Sequence, residues 1–196
     1  MYTKKLANII VTFVLVAAVY AMGHLLFTIL TYPIVIASRS DLNMLPASIG
    51  HPVELVIPRL GVQAKVISVG QTATGAMDIP TIPADVAWYQ LGPRPGEVGS
   101  AVISGHYGWK DNTPAVFDLL YTLTVGDEIY IVDSLGGQLT FRVRQILSLE
   151  DDADAAQVFG SNDGLAHLNL ITCEGVWNTD RKSYSKRRVV FTDRII

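Results

Sequence analysis

Ser134-Leu135-Gly136-Gly137-Gln138-Leu139-Thr140-Phe141-Arg142-Val143-Arg144 alternates apolar and polar side chains strictly from Leu139 onward, behind a glycine-rich turn. A period of two marks a half-buried strand, so Leu139, Phe141 and Val143 face a core while Arg142 and Arg144 face water. Residues that tolerate positive φ precede it, and Ser134 to Gly137 therefore reads as a hairpin turn. Outward from this hairpin, short apolar runs broken by Gly, Pro and Asp recur at Glu54 to Ile57, Lys65 to Val69, Ala76 to Ile79, Ser100 to Ser104, Glu128 to Val132, Gln138 to Leu147, His167 to Cys173 and Arg187 to Thr192. No long stretch follows a helical period. The pattern predicts a mainly β domain with short helices, and eight strands of this length suit a closed barrel. Pro114 to Leu123 spaces Val116, Leu119, Leu120 and Leu123 three and four apart, which predicts a short amphipathic helix packed on the barrel. Leu149 to Ala166 is the longest irregular stretch, and such loops are often lids or binding loops.

The chain has 196 residues, one cysteine and a formal charge of −3, with 49% hydrophobic and 17% charged residues. These totals average two unlike parts, because no charged residue occurs between Lys5 and Arg39. From Arg39 onward acids outnumber bases, which gives no electrostatic footprint for nucleic acid. A lone cysteine excludes an intramolecular disulfide framework, and no Cys/His pairs sit at zinc spacing. The 27 residues from Leu6 to Tyr32 would make a helix about 40 Å long, enough to span a bilayer with some tilt. A secretory signal is the rival reading, with Val35-Ile36-Ala37 as a loose cleavage site, but its apolar region is only about 7 to 15 residues long. An uncleaved anchor is expected. Lys4 and Lys5 outweigh Arg39, so the amino terminus should lie in the cytoplasm and the folded domain outside the cell membrane. The expected organisation is cytoplasmic terminus and anchor over 1–37, a stalk over 38–52 and an extracellular domain over 53–196. His24, one neutral imidazole in the apolar run, is given no role.

Cys173 follows the apolar run Leu168-Asn169-Leu170-Ile171-Thr172 and precedes Glu174-Gly175, where the strand is expected to end. Most free cysteines are small buried hydrophobes, but a thiol at a strand tip outside the membrane can be a nucleophile. His106 follows Ile103-Ser104-Gly105 with glycines on both sides, also at a strand's end. His51 falls in the stalk, and His167 begins the cysteine's own strand about 20 Å away along it. That leaves His106 as the partner. Arg187 and Arg188 open the last strand, where adjacent side chains point to opposite faces, so at most one reaches the cysteine. In such a set the thiolate attacks a carbonyl and the histidine protonates the departing amine. An arginine, with backbone N–H groups after the cysteine, stabilises the oxyanion. A nearby arginine and imidazolium are also expected to favour thiolate over thiol.

Leu170-Ile171-Thr172-Cys173, Ser104-Gly105-His106 and Arg187-Arg188-Val189-Val190-Phe191 resemble the signature segments of the sortases, membrane-anchored cysteine transpeptidases chiefly of Gram-positive bacteria. The resemblance covers about Val53 to Ile196, with the amino-terminal anchor fitting as well. It implies an eight-stranded sortase-type barrel, catalytic His106, Cys173 and Arg187, and oxyanion or substrate contacts at Thr172 and Glu174. Aligning Phe191 with the family's arginine strand selects Arg187 over Arg188, whose charge would then point outward. Ile57-Pro58-Arg59-Leu60-Gly61-Val62, Trp88-Tyr89 and Pro95-Gly96 to Ser104-Gly105-His106 look most like classes E and F, from which Glu174-Gly175-Val176-Trp177 departs. The substrates implied are surface proteins with a Leu-Pro-any-Thr-Gly type sorting motif and an amine acceptor such as a peptidoglycan precursor. Pilin polymerisation, plain hydrolysis and a catalytically silent extracellular β-domain that binds wall or partner protein are the competing readings. Glu150, Asp151, Asp152 and Asp154 form an acidic cluster, read as solvated surface because no EF-hand spacing is present. No metal and no cofactor are expected.

Overall fold

The computed structural model describes residues 48–195 and, nearer the amino terminus, 20–22 and 24. Apart from those few residues, the Leu6 to Tyr32 anchor and most of the stalk lie outside the described residues. No helix among the described residues is long and apolar enough to cross a membrane.

Ser48 to Ile196 is one compact unit. Its strands are β1 (Pro52–Ile57), β2 (Val62–Val69), β3 (Val86–Tyr89), β4 (Gly99–Gly105), β5 (Glu128–Asp133), β6 (Gln138–Glu150), β7 (Ala166–Asn178) and β8 (Ser183–Ile195). They close into a barrel in the order β1-β2-β3-β4-β7-β8-β6-β5. β2 and β3 run parallel, as do β4 and β7, and every other neighbour pair is antiparallel. These directions bring the ends of β4 and β7 to the same end of the barrel as the start of β8. That is where His106, Cys173 and the two arginines lie.

Strict alternation puts Phe141 and Val143 in the core and leaves Arg142 and Arg144 exposed. The hairpin turn at Ser134 to Gly137 joins β5 to β6, with Gly136 at a φ of 82°. The barrel interior holds Leu55, Ile103, Phe117, Phe141, Leu168, Leu170 and Val190, all essentially without exposure. A second apolar layer of Val102, Val158, Val189 and Phe191, joined by Ile171, packs on the barrel's outer face. Alternate residues of β7 and β8 thus serve opposite sides: Leu170 and Val190 point inward, Ile171 and Val189 outward.

Four expectations are corrected. Ala76 to Ile79 forms no strand; Met77 makes only an isolated bridge to Gln71, across a turn where Gly75 takes a φ of 84°. The eighth strand is instead Val86–Tyr89, four residues whose fully apolar face pattern hid it from a period-two reading. Pro114 to Leu123 is not an α-helix but a series of turns ending in a 3-10 turn at Leu120–Thr122. Phe117 anchors it at 0% exposure while Leu119 is exposed, so the helical spacing was coincidental. Finally, β7 does not end at Glu174: it continues to Asn178 beyond an irregularity between Glu174 and Trp177, where Gly175 takes a φ of 86°. Glycine supplies that left-handed conformation at no steric cost. Within Leu149 to Ala166 the short helix α1 (Ala156–Phe159) is docked on the outer layer through buried Val158 and a 2.7 Å hydrogen bond from Asn169 Nδ2 to its carbonyl.

Candidate active site

β7 places Cys173 inside a strand, two residues beyond outward-facing Ile171 and just before the irregularity at Gly175. Its direct cross-strand partner on β8 is Arg187, while Thr172 is paired with Arg188. Directly opposed residues of an antiparallel pair share a face, so the thiol and the Arg187 guanidinium lie on the same side of the sheet. Burial pushes the Cys173 thiol above its usual value, and the Arg187 charge offsets this only in part. Against the expected preference for thiolate, desolvation here outweighs one positive charge.

Arg187 is held by its own hairpin. Nη1 donates to the carbonyls of Tyr184 and Lys186, each at 2.9 Å, and Nη2 donates to Ser183 Oγ at 2.8 Å. These bonds use three of the five guanidinium hydrogens, and two remain for a ligand.

His106 follows Gly105, the last residue of β4. A Cβ at Gly105 would lie 2.5 Å from Phe117 Cδ2, so only glycine lets the aromatic ring pack under this strand end. The His106 backbone carbonyl accepts a 3.0 Å bond from the Phe117 N–H. His106 Nε2 lies 2.7 Å from the Pro80 carbonyl oxygen, and the ring meets Trp109 edge to face at 4.5 Å between centroids. A carbonyl can only accept, so Nε2 carries the hydrogen and Nδ1 is left for chemistry. Asp118 pins the following loop, accepting from Gly108 N–H at 2.7 Å and Ala115 N–H at 2.9 Å.

His106, Cys173 and Arg187 line one open cavity of about 1040 Å³. Tyr184 stands between Tyr107 and Trp177, with ring centroids 5.6 and 5.2 Å away, and all three rings border that cavity. Aromatic walls of this kind bury a peptide's apolar surface. The other two candidates are placed differently. Thr172 is buried and its hydroxyl donates to the Gly105 carbonyl at 2.7 Å, fastening the cysteine strand to the histidine strand. Glu174 accepts from Arg188, and neither guanidinium nor carboxylate is fully exposed. Arg188 is thus not the outward charge expected of it, since alternation turns it toward the barrel's mouth. His51 lies by Trp88, and buried His167 is bonded to Asp193 and Asp163 at the far end of β7. Of the acidic cluster, Asp151 pairs with Arg181, Glu150 with Lys186, and Asp154 caps the Ala156 N–H.

Asp118, Pro80 and the aromatic set of Trp109, Trp177 and Tyr184 went unnoticed in the sequence. Pro80 acts through its backbone and Asp118 through a turn, neither of which has a motif. Trp177 and Tyr184 signal themselves only once β7 and β8 are known to extend past Cys173 as a long hairpin.

The sortase domain model matches residues 55–195. None of the curated proteins compared with the chain matches it. Among solved structures, the chain is similar to the sortase C1 of Streptococcus agalactiae in its complex with MTSET, at 26% identity and a TM-score of 0.57. That match covers 73% of this chain and 66% of the streptococcal one, just under two thirds of the relative's length. Sortase C-1 from Actinomyces oris aligns at 24% identity over 85% of both chains, with a TM-score of 0.59. A lid mutant of sortase A from Corynebacterium diphtheriae aligns at 22% identity over 80% of this chain and 76% of that one, with a TM-score of 0.58. The last two, below 25% identity, bear on the fold alone. With a domain match that reaches all eight strands and takes in His106, Cys173 and Arg187, the chain belongs to the sortase family.

Proposed function

We propose that the protein is a cysteine transpeptidase that cleaves a Leu-Pro-any-Thr-Gly type sorting motif near the carboxy terminus of surface proteins and passes them to a cell-wall amine. The observation that carries this reading is the opposition of Cys173 and Arg187 across β7 and β8, with His106 on the same cavity. Because the resting thiol is held neutral, His106 Nδ1 first takes its proton as the sulfur attacks the scissile carbonyl. The two unused Arg187 hydrogens receive the oxyanion. The C–N bond then breaks, His106 returns the proton to the departing amine, and a thioester remains on Cys173. Thr172 acts by position, since its hydroxyl is committed to Gly105.

The remaining parts of the reading rest on sequence. Leu6 to Tyr32 anchors the chain with its amino terminus in the cytoplasm and 53–196 outside, and Ile57-Pro58-Arg59-Leu60 favours class E or F. Sorting-motif peptides offered together with amine acceptors test the proposal. A trapped thioester in the native protein and none in Cys173→Ala supports it; slow, unsaturable thiol labelling and no acyl-enzyme with any peptide indicate a silent β-domain. For the anchor, retention in membranes after alkaline carbonate washing is expected, and a soluble form beginning near Ser38 would indicate a cleaved signal.

A further inference from the structure

A second cavity of about 240 Å³ lies at the barrel's mouth, with Tyr107, Phe117 and Tyr121 on one side and Glu174 and Arg188 on the other. Cys173 and Tyr107 border both this cavity and the large groove. A transpeptidase must bring two substrates to one thioester, and the groove with His106 and Arg187 suits the longer one, the donor peptide. The smaller space has room for a compact head group only.

Its charges are paired and particular. Arg188 Nη2 donates to Glu174 Oε1, and the two side chains are only 22% and 25% exposed. Burial works against the Glu174 carboxylate, but Ser148, Arg188 and Lys186 outweigh it and keep the group ionised below the usual carboxylate range. Among the described residues the buried Arg188 Nε–H has no acceptor and the buried Glu174 Oε2 has no donor. Buried donors are rarely left unmatched, and an anionic oxygen from a ligand would complete this one. One negative and one positive group side by side, walled by aromatic rings, complement an amine with a carboxylate beside it.

We infer that this cavity receives the acceptor as a small amino-carboxylate head, its carboxylate on Arg188 and its amine steered past Glu174 to the mouth, where Cys173 borders both cavities. The inference rests on the transpeptidase reading and names the acceptor class for it. In the transfer the amine's lone pair adds to the thioester carbonyl and the C–S bond breaks. The proton lost by the nitrogen reaches the Cys173 sulfur by way of His106, leaving an amide and a free thiol.

The full-length protein, charged with a cleavable sorting-motif peptide, is offered alanine, alaninamide or ethylamine. Amide product and hydrolysed peptide are then counted, which reads how the acyl-enzyme divides regardless of how fast it forms. Per free-base amine, alanine should be captured about tenfold or more above the other two, the worth of one charge-assisted hydrogen bond. In Glu174→Gln/Arg188→Met both charges go together, so no lone buried charge is left, and the preference for alanine should vanish. Tyr121→Trp narrows the cavity from its exposed side without touching a charge, and should shift the division toward water for all three amines. Equal capture of alanine and alaninamide by the native protein, or an unchanged preference in the double variant, overturns the inference while acyl transfer stands. If no peptide forms an acyl-enzyme, the transpeptidase reading falls and the inference falls with it.

Discussion

Cys173 and Arg187 are direct partners across the β7–β8 ladder, whereas the neighbouring Arg188 is paired with Thr172 and bonded to Glu174. Two adjacent arginines therefore serve opposite faces of one sheet. Arg187 stands on the outer face with the thiol, and Arg188 on the face that continues the barrel interior.

That division predicts unlike defects in acylation. Removing an oxyanion donor typically costs about 10² to 10³ in kcat, and Arg187→Ala should lose that much in acyl-enzyme formation. Arg187→Lys should recover little, because an ammonium cannot bond the Tyr184 and Lys186 carbonyls and still offer a planar fork. Stopped-flow acylation with one peptide measures both; a wild-type rate in Arg187→Ala would refute the assignment.

The thiol's environment makes a second prediction. Burial raises the Cys173 pKa and Arg187 lowers it, with burial the larger influence. Alkylation by iodoacetamide should reach half its maximal rate at a pH above the ordinary cysteine value of about 8.5. Arg187→Met removes the one lowering influence and should move that midpoint further up. A midpoint below the ordinary value in the native protein would mean that the thiolate is favoured at rest.

The barrel, and the strand ends that bring Cys173 and His106 to one cavity, were legible because they depend on local pattern: alternation in β6, an apolar run before Cys173, glycines around His106. What eluded the sequence depends on registration between distant segments. β3 is short and buried on both faces, so it carries no alternation, and its pairing with β2 is decided by the barrel's closure. The extension of β7 past Gly175 is invisible to a reading that treats glycine as a stop, yet it is what brings Trp177 and Tyr184 over the site. The Pro114 to Leu123 segment failed for the opposite reason, since a helical spacing was present but its backbone was already committed to Pro83 and His106. Spacing proposes; tertiary hydrogen bonds decide.

The contact between β4 and β7 gives a third prediction. Thr172 Oγ1 and the Gly105 carbonyl tie β7 to β4, and Gly105 has no room for a methyl group. Thr172→Val should cost about 1 to 3 kcal/mol, the usual penalty for leaving a buried carbonyl without its donor. Gly105→Ala overpacks the Phe117 contact, where about 1 to 3 kcal/mol is typical. Both should lower kcat more than they raise KM, because they move His106 relative to Cys173 and leave the aromatic walls of Tyr107, Trp177 and Tyr184 in place. Urea unfolding together with peptide kinetics separates the two effects, and a Gly105→Ala variant of native stability and rate would show that the loop gives way instead.

His106→Ala should lose about 10² to 10⁴ in rate, the usual worth of general acid–base catalysis, whereas His167→Ala should leave the chemistry intact for a structural reason. His167 begins β7 at the opposite end of the barrel, where Nδ1 meets Asp193 Oδ1 at 2.8 Å and Nε2 meets Asp163 at 3.0 Å. Its loss should appear in stability. The carboxylates fix the pH dependence. Asp163 is held far below the usual carboxylate range, first by its bond to His167 and then by the Leu165 N–H and the Ser161 hydroxyl. A carboxyl whose folded pKa lies below its unfolded value of about 3.9 stabilises the protein above that pH and loses the contribution as pH falls toward the folded value. Asp163→Asn should therefore melt below the native protein between pH 5 and about 7, and the gap should narrow as the pH drops under about 4. Its kcat/KM at neutral pH should match the native value, because nothing at that end lines the groove. A constant difference in Tm from pH 3 to 7 would show that the bonds to Asp163 do not depend on its charge, and a large loss of activity would place His167 nearer the chemistry than the ladder allows.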